Sequence, residues 1–214
     1  MRNFYQRRQT LRSLVAGVLV MALGSGVAWA ADESADAFIK RVSSDILDTI
    51  KADKSIRSGD VNKIMVLVDQ RVMPHTNFTR MTASALGPAW RQTTPEQQKR
   101  LQEEFKTLLV RTYAGALQQV NDQNIVVKPL RAAADDKEVV VRTEVRGKGD
   151  PIQLDYRVEK TADGGWKVYN LNVMGIWLVD NYRTQFAQEI NAKGVDGLIA
   201  SLAERNKANA RGGK

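Results

Sequence analysis

The spacing of apolar residues changes twice along this chain, and no other feature restricts its fold as much. From Phe38 to Val120 they recur every three or four positions. From Ile125 to Val173 they recur every second position, and from Val179 onward the longer period returns. A period near 3.6 draws a stripe on a helix, whereas a period of two draws a face on a strand. Helices, one run of strands and helices again is the order of an α+β domain.

Each helical stretch carries its own start and stop signals. In residues 34–56, Phe38, Val42, Ile46 and Ile50 recur every four positions, and Ile39 and Leu47 widen the stripe. Asp60 is placed to cap a second helix through "VNKIMVLVDQRV", which must stop before Pro74. "NFTRMTASAL" reads as a shorter helix closed by Gly87 and Pro88. Thr94 is a natural N-cap, Pro95 suits the first helical position, and Gln97 completes a capping box. The helix predicted over 95–120 carries an apolar face from Leu101 and Phe105 to Leu117 and Val120. That face is wider than a single seam and calls for burial on more than one side.

Four stretches then read as strands: "NIVVKPL", "KEVVVRTEV", "PIQLDYRVEK" and "GWKVYNLNV". Val139, Val141, Thr143 and Val145 alternate with charged residues, as do Ile152, Leu154, Tyr156 and Val158, so Asp155 belongs to the charged face. "RGKGDP" and "TADGG" have hairpin length. The expected sheet is a four-stranded antiparallel meander, apolar on one side. Two helices follow, Val179–Ala192 ending near Gly194 and Gly197–Arg205 behind an Asp196 cap, and residues 206–214 read as a disordered tail. Where the helices wrap the apolar side incompletely, the gap is an apolar cavity.

The N-terminus reads as a segment removed before folding. "MRNFYQRRQTLR" carries Arg2, Arg7, Arg8 and Arg12 and no acid. A short apolar run follows, and Ala28-Trp29-Ala30 supplies small residues where a signal peptidase reads. Cleavage is expected after Ala30. The run is shorter than a membrane span and is broken by Gly24 and Gly26. "RRQTL" resembles a twin-arginine signal with Thr10 in place of the usual aromatic, which leaves the export route open. The four arginines account for half of the formal +8, leaving +4 on residues 31–214. Those charges are interspersed with acids, as in "QQKRLQEEFK", which describes a solvated surface and excludes a nucleic-acid face.

The chemistry available is narrow. There is no cysteine, which excludes disulfides, iron–sulfur clusters and a thiol nucleophile. His75 is the only histidine, beside Pro74, a setting commoner for a structural residue than for a base. No Gly-x-Ser-x-Gly elbow and no phosphate-binding glycine loop occurs. No cofactor is implied. An exported domain with a broad apolar interior and no acid–base equipment points to binding of an apolar ligand. Two other readings stay open. One is a small-molecule enzyme on a cone-shaped α+β scaffold, which would need a titratable group on the inner sheet face. The other is a periplasmic adaptor that binds only protein.

"LGPAWRQTTPEQQKRLQEEFKTLLVRTYAGAL" (86–117), "GWKVYNLNVMGIWLVDNYRTQF" (165–186) and "GVDGLIASL" (194–202) together resemble the MlaC/toluene-tolerance auxiliary family of periplasmic phospholipid-binding proteins. The likeness runs from about residue 34 to about residue 205. It implies a twisted antiparallel sheet against helices, with acyl chains held between them. It also implies the working partners: phospholipid as cargo, an outer-membrane lipoprotein complex, and an inner-membrane ABC transporter complex; the protein is expected to be a monomer. On that resemblance the expected lining is Leu109, Tyr113 and Leu117 on the helix and Val141, Val145, Leu154 and Tyr156 on the sheet. Val173, Trp177, Tyr182 and Phe186 would close the far side, with Trp177 at the rim. Two positions depart from the family's pattern: Asn77, where Asp is frequent, and Trp177, where a small polar residue is frequent.

Overall fold

The first helix forms where its apolar period begins. In the computed structural model, which describes residues 33–133 and 135–212, α1 (Ala35–Ala52) buries Phe38, Ile39, Val42, Leu47 and Ile50. The expected signal peptide lies outside the described residues. The Asp53 carboxylate accepts the backbone N–H groups of Ser55 and Ile56 at 2.7 and 3.3 Å, which caps the four-residue α2 (Lys54–Arg57). Asp60 does the same for α3 (Val61–Leu67), accepting from Asn62 and Lys63 at 2.9 and 3.2 Å.

The regular helix predicted through Val72 is not what forms. After Leu67 the backbone widens into a π-helical turn (Val68–Val72) and then tightens into a 3₁₀ turn (Met73–His75). Pro74 has no N–H to donate, and its ring would meet the carbonyl one turn earlier, so the coil must open ahead of it. No side chain of either turn is fully buried.

Asn77 caps α4 (Phe78–Leu86), accepting the Arg80 N–H at 3.0 Å, and Gly87 ends it at φ 62°. The predicted capping box opens α5 (Pro95–Leu117): Gln97 N–H donates to Thr94 Oγ1 at 3.2 Å, and Thr94 N–H donates to Gln97 Oε1 at 3.0 Å.

The sheet is antiparallel throughout, in the order β1 (Asn124–Val127), β2 (Glu138–Arg146), β3 (Ile152–Lys160), β4 (Trp166–Val173), β5 (Ile176–Trp177). Five strands therefore replace the expected four. Met174 and Gly175 both take positive φ, 52° and 90°, and fold residues 176–177 back onto Asn172 and Val173. Two successive positive φ values are those of a tight hairpin, whose usual signature is Asn-Gly rather than Met-Gly.

A bulge divides β3 from β4: Val158 faces Val168 and Arg157 faces Asn170, so Tyr169 has no partner. Simple alternation would set Val168 beside Asn170 and Asn172. With one residue of slack, Val168, Leu171 and Val173 share the inner face instead. Asn170, Asn172 and Asp155 turn outward, as expected for Asp155, yet they are 2, 4 and 4% exposed. Asn170 Oδ1 accepts the Val179 N–H at 3.1 Å, and the chain entering the last helix covers this polar belt.

The final helix, α6 (Leu178–Gly212), bends at Gly194 (φ 70°). Asp196, expected as a cap, instead accepts the Gln97 side-chain amide at 2.8 Å, fastening the second arm to the start of α5. The disordered tail is corrected as far as Gly212: helix continues, and buried Asn206 donates to the carbonyl and carboxylate of Glu104 at 2.9 and 2.8 Å. Three apolar clusters result: α4, α5 and α6; α1 against β2 and β3; and the ends of α1, α2, α3 and α5.

Candidate functional site

The three clusters do not close on one another. Between them lies a cavity of about 410 Å³, within the usual range for a small-molecule site. α1 contributes Ile39, Val42 and Ile46, the turns at 68–75 contribute Val68 and Val72, and α5 contributes Leu109 and Tyr113. The inner sheet face supplies Val145, Leu154, Tyr156, Leu171 and Val173. Several of the large rings pack on one another beside the hollow. Phe105 sits within 5.8 Å of Phe78, 5.0 Å of Tyr182 and 5.2 Å of Phe186, centroid to centroid, in edge-on or tilted geometry. Mainly aliphatic side chains remain to line the gap, and they do not fill it.

The expected lining divides accordingly. Leu109, Tyr113, Leu117, Val145, Leu154, Tyr156 and Val173 face the cavity. Tyr182 and Phe186 do not: at 6 and 1% exposed they pack on Phe105. Val141 is fully buried against α1 with Val139 and Val158. Trp177 pairs with Asn172 and so lies on the outer face, its ring under the Arg157 guanidinium at 4.1 Å, while Arg157 donates to Asp180 at 3.2 Å. It is no part of the wall.

Sequence reasoning missed α1 as a wall. Its stripe was visible, but a stripe shows which face is apolar without showing whether another side chain meets it. The bulge was also missed, and with it Leu171.

Few polar groups look into the cavity. Ser43 Oγ donates to the Tyr156 hydroxyl at 3.2 Å. Burial pushes the Tyr156 phenol up to about 12, partly opposed by the Ser43 and Thr143 hydroxyls. Tyr156 retains accessible surface because it borders the hollow, not bulk water. His75 lies on the wall with its ring edge-on to Phe38 at 5.8 Å. Burial and then the nearby Arg41 charge hold its pKa below the ordinary histidine value. Among the described lining residues only Lys106 is charged at neutral pH, and its ammonium meets Asp69 at 2.6 Å.

No group of three His, Cys, Asp or Glu among the described residues could hold a metal ion, and no described helix is long and apolar enough to cross a membrane. Largely aliphatic walls with one ion pair at their edge suit a hydrocarbon ligand.

Asn77 has a second task besides capping: its amide donates to Glu159 at 2.6 Å. Glu159 also receives Arg80, which bonds Glu138 at 2.8 Å and stacks on Tyr169 at 3.7 Å. An aspartate at 77 would set a second carboxylate against Glu159. Asparagine can cap the helix and serve this network together.

Comparison with known proteins agrees with this geometry. The family model described as MlaC protein matches residues 40–204. The chain is 28% identical over 200 residues to the toluene tolerance protein ttg2D of Pseudomonas putida, covering 90% of this chain and 92% of that one. It is 23% identical over 177 residues to the intermembrane phospholipid transport system binding protein MlaC of Haemophilus influenzae, covering 81 and 83%. Among solved structures it resembles the phospholipid-binding protein of Ralstonia solanacearum in complex with a phospholipid. There the identity is 49% and the TM-score 0.80, over 83% of this chain and 99% of that one.

Proposed function

This chain belongs to the MlaC protein family, and on that premise we propose that it is a periplasmic phospholipid carrier whose cargo keeps its acyl chains in the cavity between α1, α5 and the inner sheet face. The observation that carries the reading is the largely aliphatic hollow in a fold shared, at 49% identity, with a protein captured holding a phospholipid. The protein works by binding and release, with phospholipid as cargo rather than cofactor.

Magnitudes decide how release must occur. Each methylene removed from water is worth about 0.8 kcal/mol, so a chain of roughly fifteen grosses about 12 kcal/mol. Ordering costs limit observed affinities to about −20 kcal/mol, yet escape of a two-chain lipid into water remains too slow for traffic. Cargo is therefore passed within a docked complex, where the cavity opens onto a partner's apolar surface and the head group stays in water. The carrier works as a monomer between an outer-membrane lipoprotein complex and an inner-membrane ABC transporter complex, after export and cleavage behind Ala30.

Mass spectrometry of an organic extract of the natively purified protein tests the reading. Stoichiometric phospholipid is expected. A lipid-free extract from protein that also fails to take up phospholipid from vesicles would refute it.

A further inference from the structure

We infer that Lys106 is the counter-ion for the phosphodiester of the cargo, with Asp69 holding its place when no head group is bound; the inference rests on the carrier reading above. A phosphate cannot follow its acyl chains into an apolar hollow, because an ion moved there without a partner loses far more hydration than the wall returns. It must stop where the wall meets water and where a cation waits. Among the described lining residues only Lys106 meets both conditions: its side chain is 23% exposed, and no other lining residue carries a full charge at neutral pH. Arg71, on the same π-helical turn as Asp69, is turned to Asp45 at 3.3 Å and does not line the cavity.

The register of α5 extends the argument. Lys106 lies on the face that continues through Leu109, Tyr113 and Leu117, all lining residues. At 1.5 Å per residue the stretch from 106 to 117 is about 16 Å of helix. A phosphate at the Lys106 ammonium therefore has a continuous apolar row leading away from it, which is the layout a head group and its chain require.

The Lys106–Asp69 pair is suited to exchange. The Asp69 side chain is 48% exposed, so the pair is screened by water and weakly held. Asp69 stands on the π-helical turn Val68–Val72, none of whose side chains is fully buried, so it can swing outward without unpacking a core. A phosphodiester offers the ammonium the same single charge on a like pair of oxygens, so it can take the place of the carboxylate.

The test uses the full mature chain, delipidated, and compares phosphatidylglycerol with diacylglycerol bearing the same acyl chains. The wild type should prefer the phospholipid. Lys106→Met should shrink that preference about tenfold, while Lys106→Arg keeps it within about threefold, the scale expected for losing a charge-assisted contact near water. Asp69→Asn should raise the preference. An unchanged preference in Lys106→Met, or a loss in Asp69→Asn as large as in Lys106→Met, overturns the assignment while leaving the carrier reading intact. Binding of neither lipid by the wild type overturns the carrier reading itself. Displacement of bound phospholipid by inorganic phosphate alone would mark a free-anion site and also overturns it.

Discussion

Truncating Phe186 and truncating Leu154 to alanine should have opposite consequences, although both residues read from sequence as one apolar lining. Phe186 is 1% exposed, with its ring 5.2 Å from Phe105 and 5.6 Å from Tyr182. Removing it opens a void in close-packed material, for which Phe→Ala costs about 3–5 kcal/mol. Two ring pairs worth about 0.5–1.5 kcal/mol each are part of that sum. Leu154 already borders a cavity of about 410 Å³, so its truncation only enlarges an existing hollow, and few contacts disappear. That cost should be about 1 kcal/mol, below the usual range for a buried leucine. For a domain of this size the two should differ by roughly 5–10 °C in Tm. The measurement is urea or thermal unfolding of delipidated protein, since bound lipid stabilises the folded state in proportion to its occupancy. Lipid occupancy should fall in Leu154→Ala and, at temperatures where both are folded, be largely retained in Phe186→Ala. Equal stability losses for the two would mean that the hollow closes in solution, and the assignment of wall and core would be wrong.

Two further outcomes are expected. His75, the only histidine, gives a single imidazole Cε1–H signal in proton NMR, and its midpoint should lie below 6.5, because burial and Arg41 disfavour the charged ring. The unfolded chain then binds the proton first, so this residue withdraws stability as pH falls from 6.5 through the folded midpoint; a midpoint above 6.5 contradicts the placement. Asn77→Ala should cost about 1–2 kcal/mol by uncapping α4 and leaving Glu159 short of a donor, read as a lower urea midpoint, whereas Asn77→Ser should recover part of it.

What the sequence disclosed and what it hid follow from range. Asp60, Thr94–Gln97 and Gly87 act within a few residues of themselves, so their caps could be read directly. Spacing alone put Leu109, Tyr113 and Leu117 on one apolar helix face, the resemblance named them as lining, and all three border the cavity. The same spacing could not separate them from Tyr182 and Phe186, because periodicity identifies an inward face and not the neighbour it meets. Whether a face meets another side chain or a hollow depends on volumes brought together from α1, α5 and the sheet. Trp177 was misplaced for a local reason: Met174 is an unusual residue in a tight hairpin, so the fifth strand left no signature.

The unpaired Tyr169 has a consequence for how this wall tolerates change. In the eight residues of β4 hydrocarbon and amide side chains are almost interleaved, and a single surplus position decides which set looks inward. The bulged register of this strand is therefore a sharper constraint than the identity of any one aliphatic side chain. Exchanging Leu171 for another aliphatic residue alters the shape of the compartment, whereas pairing all eight residues without the bulge would present Asn170 and Asn172 to the cargo and turn an oily surface into one rich in hydrogen-bonding groups.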